Sequence, residues 1–263
     1  MTDTYLYAAV GLLVGTMVGL TGVGGGSIMT PILMLLFGQS PSVAVGTDLL
    51  FAATTKLVAT ASFGFSRRVD WPVVGRLLLG SVPGAAAVVF ALWLTRHTPK
   101  AADAITSRAL AIILAVAAVA LIFQTPLQRL GERLVSRAVV KAERHKALLT
   151  AMAGLILGVA VTLTSVGAGA LGVVMLVALY PVRLTPDRLV ATDIAHALPI
   201  ALIAGLGHVF LGQVNFHVLG ALLLGSIPGV IVASRLTLRL PAQVTRILIG
   251  LVLAAVSERM FFG

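Results

Sequence analysis

The sequence predicts an all-α, polytopic membrane protein made of two inverted five-segment repeats whose helical hairpins are broken by glycine. Three observations predict it. Of 263 residues, 59% are hydrophobic and only 11% are charged, and the mean hydropathy is +1.06, far above water-soluble domains. The apolar residues gather into ten segments, five in each half. Motifs in the first half return in the second at a nearly fixed spacing, the mark of an internal duplication.

In the first half the apolar segments run over about 5–20, 27–37, 43–63, 72–95 and 107–123; in the second, over about 147–163, 170–180, 189–210, 217–234 and 243–257. Long Leu/Ala/Val/Gly-rich runs, without ten-residue alternation, favour helices over a membrane barrel. Met1-Thr2-Asp3-Thr4 offers an acid and no cation before the first run, so that run is expected to stay as a helix and not be cleaved as a signal peptide. The second segment of each half is shorter than the ~20 residues a membrane-crossing helix needs. It is expected to form a hairpin with the first segment, meeting it at a glycine-rich stretch.

Those stretches are Leu20-Thr21-Gly22-Val23-Gly24-Gly25-Gly26-Ser27 and Leu163-Thr164-Ser165-Val166-Gly167-Ala168-Gly169-Ala170. Glycine there predicts that helices unwind. Broken backbone at membrane depth survives only inside protein or along a polar cavity, and paired breaks in corresponding places point to a transported solute's site. Gly24 and Gly167 are 143 residues apart. Pro41 and Pro186, Thr47-Asp48 and Thr192-Asp193, and Gly80-Ser81-Val82-Pro83-Gly84 and Gly225-Ser226-Ile227-Pro228-Gly229 are 145 apart. Gly-Ser-x-Pro-Gly is expected to kink segments four and nine and to let helices pack closely.

Charge placement sets orientation. The net charge is +10, but the cations lie between apolar runs, as in cytoplasmic loops, and no aromatic–basic interleaving supports nucleic-acid binding. The connector carries Arg129, Arg133, Arg137, Lys141, Arg144 and Lys146 and is placed inside. An odd number of crossings per half puts Arg67, Arg68, Arg76, Arg183, Arg188, Arg235, Arg239 and Arg246 on that same side. It leaves Arg96, Lys100, Arg108 and Arg259 outside. Even crossings would split the cations almost equally, so the halves are read as inverted, with both termini outside. The chain thus divides into a first repeat (1–123), a basic cytoplasmic linker (124–146) and a second repeat (147–263). The four-residue spacing of the linker's cations fits either a helix lying on an anionic leaflet or a solvated connector.

Several polar residues fall inside apolar runs. Asp48 and Asp193 occupy matching positions, where a carboxylate costs several kcal/mol unless it meets a cavity or partner. They read either as proton carriers and organisers of the glycine turns or as helix N-caps. Lys56 follows Asp48 by two helical turns and could neutralise it or complete an anion site; its counterpart is Ala201. His196, one turn after Asp193, could form a proton-relaying pair with it or a structural hydrogen bond. His208 and His217 read as interfacial. Half-helix N-termini at Thr21, Gly22, Gly24, Gly25, Gly26 and Ser27, and at Thr164, Ser165, Gly167 and Gly169, would offer amide and hydroxyl donors to a small oxyanion. The glycines fit neither GxGxxG nor GxxxxGK[ST], there is no cysteine, and no metal-ligand spacing occurs. No metal, nucleotide or other cofactor is expected, nor an enzyme.

Together, Thr-Gly-Val-Gly-Gly-Gly-Ser at 21–27, Val-Gly-Thr-Asp-Leu-Leu at 45–50, Gly-Ser-Val-Pro-Gly at 80–84, Ala-Thr-Asp-Ile-Ala-His at 191–196 and Gly-Ser-Ile-Pro-Gly at 225–229 resemble the TauE/SafE sulfite exporter family over nearly the whole chain. The resemblance implies a multi-pass protein of the bacterial plasma membrane that exports sulfite or small organosulfonates, driven by the proton gradient. On this reading the glycine-turn residues and Lys56 contact the anion, while Asp48, Asp193 and His196 couple protons. An anion channel using the same turns remains an alternative, and a homodimer is left open.

Overall fold

The structure is a computed structural model, and it describes residues 2–21, 26–63, 68–95, 99–122, 145–166, 169–180 and 183–235, together with residue 258. These residues are helical, with no strand among them. In chain order the helices are α1 (Thr2–Thr21), α2 (Gly26–Leu35), α3 (Pro41–Phe63), α4 (Trp71–Leu94), α5 (Pro99–Ile122), α6 (Lys146–Thr164), α7 (Ala170–Leu179), α8 (Pro186–Phe210) and α9 (Phe216–Arg235). Residues 22–25 of the first glycine stretch, the linker at 123–144 and the tenth segment at 243–257 lie outside the described residues.

Among the described residues, five helices are long and apolar enough to cross a membrane: Pro41–Ala61, Trp71–Leu94, Lys146–Thr164, Arg188–Phe210 and Phe216–Ser234. By contrast α2 and α7 have 10 residues each, half of what a crossing needs. Leu79, Phe90, Phe210 and Leu224 point outward with most of their surface exposed. That is the natural state of apolar side chains whose solvent is lipid.

α4 begins where Asp70 accepts a hydrogen bond from the Val73 amide, with Pro72 in the first turn, where its missing N–H costs nothing. The helix then continues through Pro83 to Leu94. Its glycines allow very close packing on α6: Gly80 faces the Ala151 backbone and Gly84 that of Leu155, while Gly154 faces Leu77 and Gly158 faces Ser81. The same arrangement joins α1 to α9. There Gly225 faces Ala8, Gly229 faces Leu12, Gly11 faces Leu222 and Gly15 faces Ser226. Contacts climb both helices together, so α4 runs parallel to α6, and α1 to α9. Small residues at such seams let backbones touch, the usual means of helix association where lipid removes the hydrophobic drive.

Between these pairs lie α3 and α8, packed on each other. Their shared core comprises Val45, Leu49 and Ala53 of α3 with Ala197, Ile200, Ala201 and Ala204 of α8, closed by Ala85 and Val161. Among the described residues, the buried Asp48, Lys56 and Asp193 sit in this central layer.

Candidate functional site

Asp48, Lys56, Asp193 and His196 are all buried in the central layer. Asp48 is the eighth residue of α3, so it does not cap its own helix. Its Oδ2 accepts instead from α2, taking the backbone amide of Thr30 at 3.1 Å and the Thr30 hydroxyl as well. Its Oδ1 has no hydrogen-bond partner. Lys56, on the same face of α3, interacts electrostatically first with Asp193 and then with Asp48. A cation from one half therefore acts on carboxylates of both halves, an arrangement that the spacing along α3 alone did not suggest.

Of the two readings given for His196, the structure shows the hydrogen bond between helices: its Nε2 lies 3.0 Å from the Ser81 hydroxyl on α4. In the other half, Ser226 stands at the place matching Ser81 and Phe51 at that matching His196, and the Ser226 hydroxyl is buried without a partner. His208 is a correction. It is fully buried, not interfacial, with Nε2 at 3.0 Å from the Thr162 carbonyl. His217 is exposed.

The second glycine stretch does separate two helices. α6 ends at Thr164, and Ser165 caps it in the left-handed region at φ 57°, donating its amide to the Val161 carbonyl at 2.7 Å. α7 begins at Ala170 after Gly169, whose φ of 123° suits a residue without Cβ. No side chain caps the start of α7. The Ser165 hydroxyl is buried, approaches the Asp48 carboxylate and has no partner in normal hydrogen-bond geometry. Thr164 differs from expectation, because its hydroxyl turns back on its own backbone, donating to the Ala160 carbonyl and accepting from the Val166 amide. Of the other candidates, Gly22, Gly24, Gly25 and Gly167 lie outside the described residues, as do the side chains of Thr21 and Ser27. Gly26 begins α2.

One end of the molecule carries a cluster that the sequence reading passed over. Arg183 Nε and Nη2 donate to the two oxygens of Asp70 at 2.7 and 2.8 Å, and Arg188 lies at 3.7 Å. The Asp70 amide donates to Thr192 Oγ1 at 3.0 Å, so this ion pair joins the two halves. At the matching place 145 residues later stands Asn215. Its amide donates to Thr47 Oγ1 at 3.0 Å and its Oδ1 accepts from the Val218 amide. The backbone pairing is the same at both ends; only the charge differs. The available signal was Asp70-Trp71-Pro72, an N-cap followed by proline.

Comparison with known proteins agrees with this architecture. The family model described as "Sulfite exporter TauE/SafE" matches residues 7–260. The probable membrane transporter protein YjnA of Bacillus subtilis (strain 168) is 36% identical over 229 residues, covering 87% of this chain and 88% of the relative. The probable membrane transporter protein YunE of the same organism is 40% identical over 87 residues, 31% of this chain and 30% of its own. A probable membrane transporter protein of Xylella fastidiosa (strain 9a5c) is 30% identical over 77 residues, 29% of this chain and 30% of its own. No solved structure matches significantly. Match and helices together make the chain a member of the TauE/SafE sulfite exporter family and a multi-pass membrane transporter.

Proposed function

We propose that the chain is a secondary transporter that exports sulfite or a related small sulfur-containing anion across the plasma membrane, coupled to protons. The observation that carries this reading is the buried group Asp48, Lys56, Asp193 beside the break between α6 and α7. Charges are kept at membrane depth chiefly where they serve a pathway. The uncapped α7 N-terminus supplies amide donors suited to an oxyanion, and Lys56 supplies positive charge.

Inverted repeats would give the alternating access that such export requires. The cation placement, which favours an odd number of crossings in each half, supports an inversion. The exchanged packing of α1 with α9 and of α4 with α6, through residues 143 or 145 positions apart, supports a pseudo-twofold axis. The linker and both repeats keep the boundaries given above. Asp48, Asp193 and His196 form the coupling set, and the glycine turns the anion cradle.

The test is flux in proteoliposomes with sulfite, thiosulfate, sulfoacetate and sulfate under an imposed proton gradient. Sulfite or another of these anions should move, faster with the gradient than without. Flux indifferent to pH and unchanged in Asp48→Asn and Asp193→Asn would instead make the protein an anion channel. Movement of none of the four would end the oxyanion assignment.

A further inference from the structure

The two matching aspartates are not in matching surroundings. On α2, Thr30 gives Asp48 both its amide and its hydroxyl. The corresponding helix α7 reads Ala-Leu-Gly-Val-Val-Met-Leu-Val-Ala-Leu, with no hydroxyl to offer Asp193 in any register. Asp193 has Lys56 as its electrostatic partner instead. This leaves Asp48 as a buried carboxylate with Oδ2 accepting two hydrogen bonds from Thr30 and Oδ1 unpartnered, and with a cation, Lys56, that it shares with Asp193. An ionised carboxylate held that way is costly unless a positive charge joins it.

The groups around Oδ1 are suited to such a charge. The Ser165 hydroxyl is also buried and unpartnered, and it approaches the same carboxylate. Ser165 caps the C-terminus of α6, where the last carbonyls concentrate the negative end of a 19-residue helix. Two orphaned oxygens, one of them anionic, thus meet at a negative helix end. Broken transporter helices offer their C-terminal ends to coupling cations. Among the described residues, the charged group acting on Asp48 is Lys56 on α3, which in turn interacts with Asp193 and His196 on α8; α2 and the α6 end contribute hydroxyls.

We propose that Asp48 and Ser165 hold a small monovalent cation, a sodium ion or a proton, at a site separate from the Asp193–Lys56 pair. This deepens the transporter reading by naming where the coupled ion sits, a few residues before the α7 amides that would take the anion. Cation and anion then enter one buried chamber as mutual counter-charges. Thr30 positions the carboxylate so that Oδ1 is left for the ion.

Thermal unfolding of the purified full chain in detergent tests the site without any transported anion. Sodium chloride is titrated against choline chloride at fixed pH, and pH is then varied without sodium. If the ion is sodium, sodium raises the midpoint, and Ser165→Ala raises the half-saturating concentration at least about tenfold, as loss of one ligand to a charge implies. If it is a proton, sodium has no effect and the midpoint falls as pH rises, a dependence blunted in Ser165→Ala and Asp48→Asn. In either case Asp193→Asn keeps the response. Responses unaltered by Ser165→Ala, or abolished by Asp193→Asn as fully as by Asp48→Asn, would overturn the proposal. Should Asp48→Asn not fold, Thr30→Val serves in its place and should weaken the response. A persistent cation response in a protein that moves no sulfur anion would keep this site and discard only the substrate.

Discussion

At the scale of single residues, Lys56 holds the most consequential place, because it faces carboxylates from both halves. Removing it leaves two buried acids without a counter-charge. Lys56→Met should abolish anion flux and lower the unfolding midpoint, because two buried carboxylates lose the positive charge that acts on both. Lys56→Met combined with Asp193→Asn should unfold at a higher temperature than Lys56→Met alone, since the stranded charge goes with its partner. Glycines give a second residue-scale contrast. A Cβ at Gly80 would run into the Ala151 carbonyl, whereas Gly75, on the same helix, has open space. Gly80→Val should therefore lower the unfolding midpoint sharply in detergent, and Gly75→Val should leave it nearly unchanged. The corresponding pair, Gly225 and Gly220, meets the same two environments and should repeat the result.

Between elements, the ion pair of Asp70 with Arg183 ties the start of α4 to the turn before α8, whereas Asn215, at the matching place, ties the start of α9 to Thr47 of α3 without charge. Asp70→Asn copies the neutral end. It should keep the helix cap, since asparagine caps as well as aspartate, and lose only the bidentate arginine contact. Asp70→Ala should lose both, so its unfolding midpoint should fall further, by about 1 kcal/mol of capping energy. Equal losses in the two variants would show that the cap contributes nothing and the charge everything. The spacing of motifs announced the paired elements themselves. It could not announce this asymmetry, because Arg183 and Asp70 are 113 positions apart and meet only when the two halves dock.

For the whole molecule, the orientation we propose from cation placement can be checked directly, because the sequence has no cysteine. With Lys100 outside and His145 inside, a membrane-impermeant maleimide should label Lys100→Cys in intact cells. It should label His145→Cys only after the membrane is opened. Both positions are exposed, so a lack of reaction would report sidedness and not burial. Labelling of both in intact cells would place the linker outside and reverse the charge argument. The exchange of partners between halves also belongs to this scale. α1 finds its main contact on α9 and α4 on α6, so neither half completes its own packing, and the two are expected to unfold together.

The sequence by itself determined the class, the number of described helices and, apart from the start of α5 at Pro99 instead of about 107, their approximate ends, and it displayed the recurring motifs. These depend on apolar run length and on motif spacing, which are local or periodic properties that a chain displays before folding. It also marked Asp48, Lys56, Asp193 and His196 as buried polar residues, because lipid leaves few reasons for a charge to interrupt an apolar run. Only the tertiary structure decided their partners: Thr30 for Asp48, Ser81 for His196, the Thr162 carbonyl for His208, and Asp193 foremost for Lys56. Helical spacing says which side chains share a face, but hydrogen bonds and ion pairs across a seam depend on which helix docks there, and at what depth.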